Sequence, residues 1–402
     1  MTISVGVGVG FHEDSFEAGK DAAKQAMAKL GKPKANVLIV FAAPRFKHQN
    51  LLDGITSVTK KTQMIGGTTG GEISTGGVSD NSVVVMAIQS DKVKFVNAIG
   101  ENISKGEIKA GKQLAERLLK KMPRKTAKTL VMVPDGLAGN GSDIIEGAQT
   151  ILGEYFEIVG GSLGDGADFK KTYQYYDGKV YEDSVPGFLI GGNIVTATGI
   201  RAGWESIGNR MKVTKAKSNI VYELDGEPAL DFYERCLGLE RSKKLPAIAL
   251  EYPFGMIDER AMIGGKEVYF QLRAPLAVDR KNKSITFAAE IPEGKYVTIT
   301  TASRNSIISG SGEAGKQAKE TMKGTKPAFM LIFDCIGRKL VLGSRAQEEV
   351  TAVQNVLGKD LPMVGFFTYG EIGPIDKRVK ELQATRYHNQ TTVVLALGEK
   401  SK

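Results

Sequence analysis

The sequence predicts an α/β fold, a layered βα-repeat architecture with mixed sheets, two domains and internal pseudo-repeats. Three observations carry that prediction. Apolar runs of strand length, such as Val37–Ala43, Leu130–Gly136 and Phe329–Cys335, alternate with amphipathic stretches of helical period. Each round ends in an apolar segment that empties into a glycine-rich loop: IGGTTGGE at Ile65–Glu72, VGGSLGDG at Val159–Gly166 and VGFFTYGE at Val364–Glu371. The tripeptide Ala-Gly-Lys recurs at Gly19, Gly111 and Gly315, and the loop glycines Gly66, Gly160 and Gly365 follow after 47, 49 and 50 residues. Preserved spacing of this kind is what a duplicated supersecondary unit leaves behind.

The elements follow in order. Ser4–Phe11 reads as a strand, and Asp14 with Glu17 opens a helix that stops at Gly31 before Pro33. Val37–Ala43 is a strand, Asn50–Lys61 a helix, and Ser82–Ile88 a strand after the first glycine loop. The second round begins at VKFVNAIG, with Ser104 and Glu107 as the cap of its first helix, and closes on Phe188–Ile194. The third starts at Tyr296–Thr301 and runs through Phe329–Cys335 to the last strand, Thr391–Leu397. Between rounds two and three, Thr196–Gly294 reads as an insertion, with strands at AIALEY, EVYFQLRAPLAVD and SITFAAEIP. A domain boundary is placed near residue 218, giving domains 1–218 and 219–402.

Composition narrows the function classes. The 402 residues are 42% hydrophobic and 25% charged, ordinary values for a globular chain of more than one core. The net charge of +9 comes from scattered lysines without a dense basic block interleaved with aromatics, which argues against nucleic acid. Two cysteines, Cys236 and Cys335, give no disulfide framework, and no apolar run reaches the roughly 18 residues of a membrane span. A cytoplasmic location is expected. His12, His48 and His388 lie far apart without a ligand spacing, so neither a metal nor a cofactor is expected.

Gly106-x4-Gly111-Lys112 and Gly310-x4-Gly315-Lys316 imitate a phosphate loop, but Gln113 and Gln317 stand where a magnesium-binding hydroxyl belongs. In the second round Ser104 as cap also puts Gly111 inside the helix, whose amides are already bonded. A small residue that lets the helix press on the sheet is the better reading. The glycine loops read either as tight turns or as ligand sites. Glu72 and Glu371 with Thr68, Thr69 and Thr368 suit an ammonium or hydroxyl group. In the second copy Asp165 comes one place early and Gly166 fills the aligned slot. In DCIGRK, Arg338 offers a fork for a carboxylate, or an internal partner for Glu371. Cys335 reads as pocket lining, core, or a nucleophile of lowered pKa.

GFFTYGEIGP with the preceding DCIGR and the following HNQTTVVLAL resembles the FIST C-terminal domain, while IGGTTGGEISTGG and the segment from Gly203 to Tyr233 resemble the FIST N-terminal domain. The resemblance implies a sensory module for a small ligand such as an amino acid. It carries over Glu72, Trp204, Cys335, Arg338, Tyr369, Gly370, Glu371, Asn389 and Thr391. No output domain is recognised at either end, so a separate signalling partner is expected. The expected function is a stand-alone sensor binding through Thr68, Thr69, Glu72, Cys335, Arg338, Thr368, Tyr369, Gly370, Glu371 and Asn389. The alternative is an enzyme with Cys335 as nucleophile and Glu371 as acid/base.

Overall fold

The computed structural model describes residues 3–257, 262–263, 266–267, 270–379 and 382–400. Copy one comprises β1 (Ile3–Gly10), α1 (Ser15–Leu30), β2 (Val37–Ala42), α2 (His48–Thr59), β3 (Gln63–Thr68), the hairpin β4 (Glu72–Ser74) and β5 (Gly77–Ser79), and β6 (Val83–Ser90). Copy two repeats the order with β7 (Val93–Glu101), α3 (Glu107–Lys121), β8 (Ala127–Met132), α4 (Gly141–Leu152) and β9 (Glu157–Ser162). It ends with β10 (Gln174–Tyr176), β11 (Lys179–Tyr181) and β12 (Ser184–Gly192). Copy three has β13 (Ile194–Arg201), α5 (Arg304–Thr321), β14 (Phe329–Cys335), α6 (Ile336–Leu342) and α7 (Ala346–Leu357). It closes with β15 (Met363–Thr368), β16 (Gly370–Pro374), β17 (Thr385–His388) and β18 (Thr392–Glu399).

The copies interlock. The sheets run β1-β6-β2-β3-β10-β11, β7-β12-β8-β9-β16-β17 and β13-β18-β14-β15-β4-β5. Each sheet therefore takes four strands from one copy and a hairpin from another, and the three donations close a ring. In every sheet the second and third strands of the copy pair in parallel, Val40 with Gly66, Met132 with Gly160 and Ile332 with Gly365. All other ladders of these sheets are antiparallel, which makes them mixed.

Both faces of each sheet are buried, which explains the unbroken apolar runs. Ile39 and Phe41 of β2, Val131 and Val159 of copy two, and Leu331, Phe333 and Phe366 of copy three meet in one shared core. Phe366 packs on Phe41 at a centroid distance of 4.5 Å and on Phe333 at 5.8 Å. The outer faces carry the helices, α1 and α2 on the first sheet, α3 and α4 on the second, α5 and α7 on the third.

Several expectations change. The third copy starts at Ile194–Arg201, which pairs along its whole length with β18. The strand Tyr296–Thr301 instead pairs with Phe254, Gly255 and Met256 and with Met211 and Lys212 in a separate sheet of nine strands among the described residues. Both segments are apolar strands, and only pairing partners tell them apart. The insertion accordingly lies between β13 and α5, with its own core around Val213, Tyr233, Phe254 and Phe287. Residue 218 falls at the turn between its paired strands Met211–Lys217 and Ile220–Leu224. Ala249–Glu251 within AIALEY is a single helical turn. EVYFQLRAPLAVD gives the strands Phe270–Arg273 and Pro275–Asp279, while Val268 and Tyr269 lie outside the described residues. Asp14 caps α1 as expected, accepting from the Glu17 amide at 3.0 Å. Ser104 does not cap α3; its hydroxyl donates to Asp183 and Gly106 holds the cap position.

The Ala-Gly-Lys glycines press on a neighbouring helix rather than on the sheet. A Cβ at Gly19 would lie 2.2 Å from the Leu51 carbonyl oxygen of α2, and one at Gly111 2.1 Å from that of Ile144 in α4. At Gly315 the nearest atom is 3.5 Å away. Helix-to-sheet contact comes from strand glycines: a Cβ at Gly8 would meet the Ala22 carbonyl of α1 at 2.0 Å, and one at Gly199 that of Ala314 in α5 at 1.9 Å. Gly19→Ala and Gly111→Ala are therefore expected to cost about 1–3 kcal/mol by overpacking. Gly315→Ala should be neutral or stabilising by up to about 1 kcal/mol, because Ala is the better helix former. Urea midpoints check this; equal effects at all three positions would contradict the packing asymmetry.

Candidate functional site

The glycine loops are the crossings at which each copy leaves its own sheet for the next, and a buried polar side chain fastens each crossing. Glu72, the first residue of β4, is fully buried. Thr69 Oγ1 donates to its Oε1 at 2.5 Å, and the Ser82 amide and hydroxyl donate to Oε2 at 3.1 and 2.7 Å. Glu371 repeats the arrangement in copy three. Thr368 Oγ1 donates to Oε1 at 2.5 Å, and the Thr391 amide and hydroxyl donate to Oε2 at 3.0 and 2.9 Å. Burial drives both carboxyls up to about 7 against the downward pull of these hydrogen bonds.

Strand register corrects the second copy. Glu72 lies opposite Phe366 and Glu371 opposite Gly161, each one residue beyond the loop glycine of the receiving strand. The residue opposite Gly67, one beyond Gly66, is Gln174. Gln174 is fully buried, accepts from Ser184 Oγ at 3.2 Å and donates to Thr172 Oγ1 at 3.1 Å. Ser82, Ser184 and Thr391 stand directly before or at the start of the closing strands β6, β12 and β18. The extra residues of copy two form a loop organised by Asp165, whose carboxylate accepts from the amides of Phe169, Lys170 and Lys171. Asp165 also holds the Tyr369 hydroxyl, which accepts from the Asp165 and Ala167 amides at 3.2 and 3.1 Å.

Arg338, expected to face a ligand carboxylate, is fully buried and committed internally. Its Nε donates to Glu349 at 2.9 Å and lies 3.0 Å from Asp334 Oδ1. Its two terminal nitrogens reach the carbonyls of Ala202, Gln390 and Ile307, Ser311 Oγ and Glu349. The guanidinium also lies over Trp204, 5.7 Å from the ring centroid. It ties β14, α5, α7 and the start of the insertion together. Thr68 is likewise structural, its Oγ1 accepting from the Tyr173 amide at 3.0 Å. Gly370 gives room to Tyr387, whose hydroxyl would lie 2.0 Å from a Cβ there.

A cavity of about 640 Å³ lies where copies two and three meet the inserted domain. It opens beyond the C-terminal ends of β8 and β14, the end at which α/β sheets present ligands. Copy two contributes Gly136–Leu137, Gly139–Gly141 and Phe169, and the insertion contributes Asn219, Leu250, Leu276 and Glu290 among others. Of the expected site residues, Cys335, Tyr369 and Asn389 line it, whereas Thr68, Thr69, Glu72, Arg338, Thr368, Gly370 and Glu371 do not.

Asn389 is 1% exposed, and neither its Oδ1 nor its Nδ2 has a hydrogen-bond partner. A buried amide left unpaired costs about 1–3 kcal/mol. The turn that carries it is fixed from behind by Glu371 through Thr391, and by the Gln390 side chain, which donates to the Leu250 carbonyl at 2.9 Å. Gln390 itself has φ +59 in the left-handed region. Cys335 is buried, and that burial raises its thiol well above the ordinary range, the opposite of an activated nucleophile. Sequence reasoning missed Glu107, Asn140, Tyr387 and the whole contribution of the insertion. The glycine-rich DGLAGNG after β8 was the available signal, since it is a strand-end loop like the three singled out.

The family model described as FIST N domain matches residues 36–227, and that described as FIST C domain matches 229–374. The chain belongs to the FIST family. FIST domains are in general small-ligand sensory domains. An uncharacterized protein of Methanocaldococcus jannaschii is 22% identical over 360 residues, 84% of this chain and 66% of the archaeal one. One of Mycobacterium tuberculosis is 23% identical over 378 residues, 92% of this chain and 95% of its own. This chain thus spans just under two thirds of the archaeal relative. Among solved structures, a cyanuric acid hydrolase from A. caulinodans aligns over 99% of this chain and 100% of its own, with TM-score 0.42 and 8% identity. A chorismatase aligns over 99% of each chain with TM-score 0.36 and 6% identity. At such values no ligand or reaction carries over. Among the described residues no helix is long and apolar enough to cross a membrane, and no cluster of metal-ligating side chains occurs.

Two outcomes are expected for this FIST protein. Glu72 and Glu371 have folded pKa values raised from 4.5 to about 7. Their favourable contribution is complete below about pH 4.5 and is lost as pH rises through 7, on the order of 3 kcal/mol per carboxyl. Relative to a Glu72→Gln/Glu371→Gln variant, the wild type should lose stability between pH 5 and 8 in urea titrations; a parallel pH dependence of the two proteins would refute the buried-carboxyl account. Iodoacetamide at pH 7.5 should label exposed Cys236 before Cys335. Rapid labelling of Cys335 below pH 8 would contradict its raised pKa.

Proposed function

We propose that this protein senses a small metabolite bound in the cavity between copies two and three and the inserted domain. The observation that carries the reading is Asn389, a buried carboxamide with donor and acceptor both unpaired, lining a cavity of small-ligand size. A protein keeps such a group, against its cost, where something other than the protein completes it. A ligand that offers one donor and one acceptor satisfies both ends. The ten residues anticipated as a site divide into two roles in this reading. Asn389, Tyr369 and Cys335 meet the ligand, while Glu371, Arg338 and Thr368 position the elements that carry them.

An amino acid was expected from the family resemblance, with Arg338 available for its carboxylate. With Arg338 fully bonded, the amine or amide end of the ligand becomes the recognised feature. The protein works in the cytoplasm in this reading, and the insertion, which forms one wall of the cavity, is the part whose position reports occupancy to a separate partner. Catalysis through Cys335 and Glu371 gains no support, because the thiol is raised by burial and Glu371 lies outside the cavity.

Thermal-shift screening of a metabolite panel against wild type and Asn389→Leu tests the site. The leucine variant should be as stable as unliganded wild type or more so by about 1 kcal/mol, because it removes an unpaired buried amide. It should also lose the response to any compound that protects the wild type. A destabilised variant that keeps the ligand response would show that Asn389 serves the fold alone.

A further inference from the structure

Resting on that cavity as the ligand site, we infer that its ligand is an amine with an apolar body, a neutral hydrogen-bond acceptor beside the ammonium and no acidic group. Charge gives the first half of the argument. Glu107 and Glu290 line the cavity from distant parts of the sequence, the start of α3 and the inserted domain, and among the described residues no Lys or Arg lines it. Neither carboxylate has an ion-pair partner among the described residues. Burial together with Glu107, Glu290 and Glu146 raises the nearby Asp143, which reports the same concentration of negative charge. Two arginines next in sequence to lining residues, Arg273 before Ala274 and Arg338 after Gly337, are committed elsewhere. Arg273 donates to the carbonyls of Glu290, Leu272 and Tyr387, and Arg338 is enclosed with Asp334 and Glu349. An anionic ligand would meet two carboxylates and no compensating charge, whereas an ammonium finds two acceptors already in place.

The mouth gives the second half. Leu137, Phe169, Leu276 and Leu340 line the cavity while remaining 39%, 50%, 42% and 54% exposed. They come from copy two, copy three and the insertion, so no single packing requirement explains their convergence. Phe169 is stacked on Tyr369 at 4.6 Å with φ +53, a left-handed conformation that a bulky residue rarely adopts. The Asp165 carboxylate, accepting from the amides of residues 169–171, holds it there. An apolar rim around a polar interior matches a molecule whose polar head reaches Asn389 and whose hydrocarbon part is covered at the mouth. The exposed apolar surface at the rim then contributes to binding through its removal from water.

Calorimetric titration of the full chain with phenylalaninol, 4-phenylbutyrate and ethanolamine separates these features. The phenylalaninol, with ammonium, hydroxyl acceptor and apolar ring, should bind at least about tenfold more tightly than either of the others, a factor worth about 1.4 kcal/mol. Glu107→Gln/Glu290→Gln should reduce that preference over 4-phenylbutyrate to within about threefold, and Asn389→Leu should abolish binding. Tighter binding of the butyrate, lost in Asn389→Leu, would overturn the charge class and leave the site standing. Equal binding of ethanolamine would overturn the apolar body. Binding of the phenylalaninol unaffected by Asn389→Leu would overturn the site itself. Failure of all three probes, with a metabolite from the screen still protecting wild type but not Asn389→Leu, would overturn the ligand class alone. Failure of every compound would overturn both readings.

Discussion

Everything in this structure depends on three crossings. At each, the chain leaves a parallel strand, turns through a glycine loop and delivers a hairpin to the sheet of another copy. The crossing has to be buried, because the three sheets share one apolar core, and buried backbone that changes sheets needs polar partners. Glu72, Gln174 and Glu371 supply them, each reaching a hydroxyl of its own loop and one at the start of the closing strand. The ring of exchanged hairpins also means that no copy completes its own sheet. Copy one lacks an edge until copy two arrives, and copy three is completed only by a hairpin of copy one.

The same device sets up the cavity. Glu371 fixes Thr391, the 389–391 turn hangs from that anchor, and Cys335 donates its amide to the Thr391 carbonyl at 3.2 Å. On the opposite wall the Asp165 loop clamps Tyr369 of copy three and projects Phe169. Copy two carries Gln where copies one and three carry Glu, and it is also the copy with the longest crossing loop. The copy without a carboxylate latch is thus the one whose crossing loop lines the cavity, through Phe169.

The repeat was legible because it is written in local pattern: strand-length apolar runs, helix periodicity and a glycine at fixed distance. The role of Glu371 was half legible. Its recurrence with Glu72 marked a shared task, but whether a carboxylate faces a ligand or three protein donors depends on Ser82 and Thr391, ten and twenty residues away. Gln174 was hidden by the loop insertion, since only strand register aligns it with the two glutamates. Arg338 carries the same chemistry whether it faces a ligand or Glu349, and burial alone decides between them. The insertion was the least legible part, because Ile194–Arg201 and Tyr296–Thr301 have the same strand character and differ only in the sheet they join. The cavity inherits that difficulty, being built from three segments far apart in sequence.

An electron-density map of the protein purified without stripping bears most directly on the central claim, that the Asn389 carboxamide is completed by a ligand. The expected result is a retained molecule within hydrogen-bond distance of both Asn389 Oδ1 and Nδ2, with its apolar part against Phe169 and Leu340. Asn389 bonded instead to protein groups, with a retained molecule held elsewhere, for instance against Glu72 or Arg338, would contradict it.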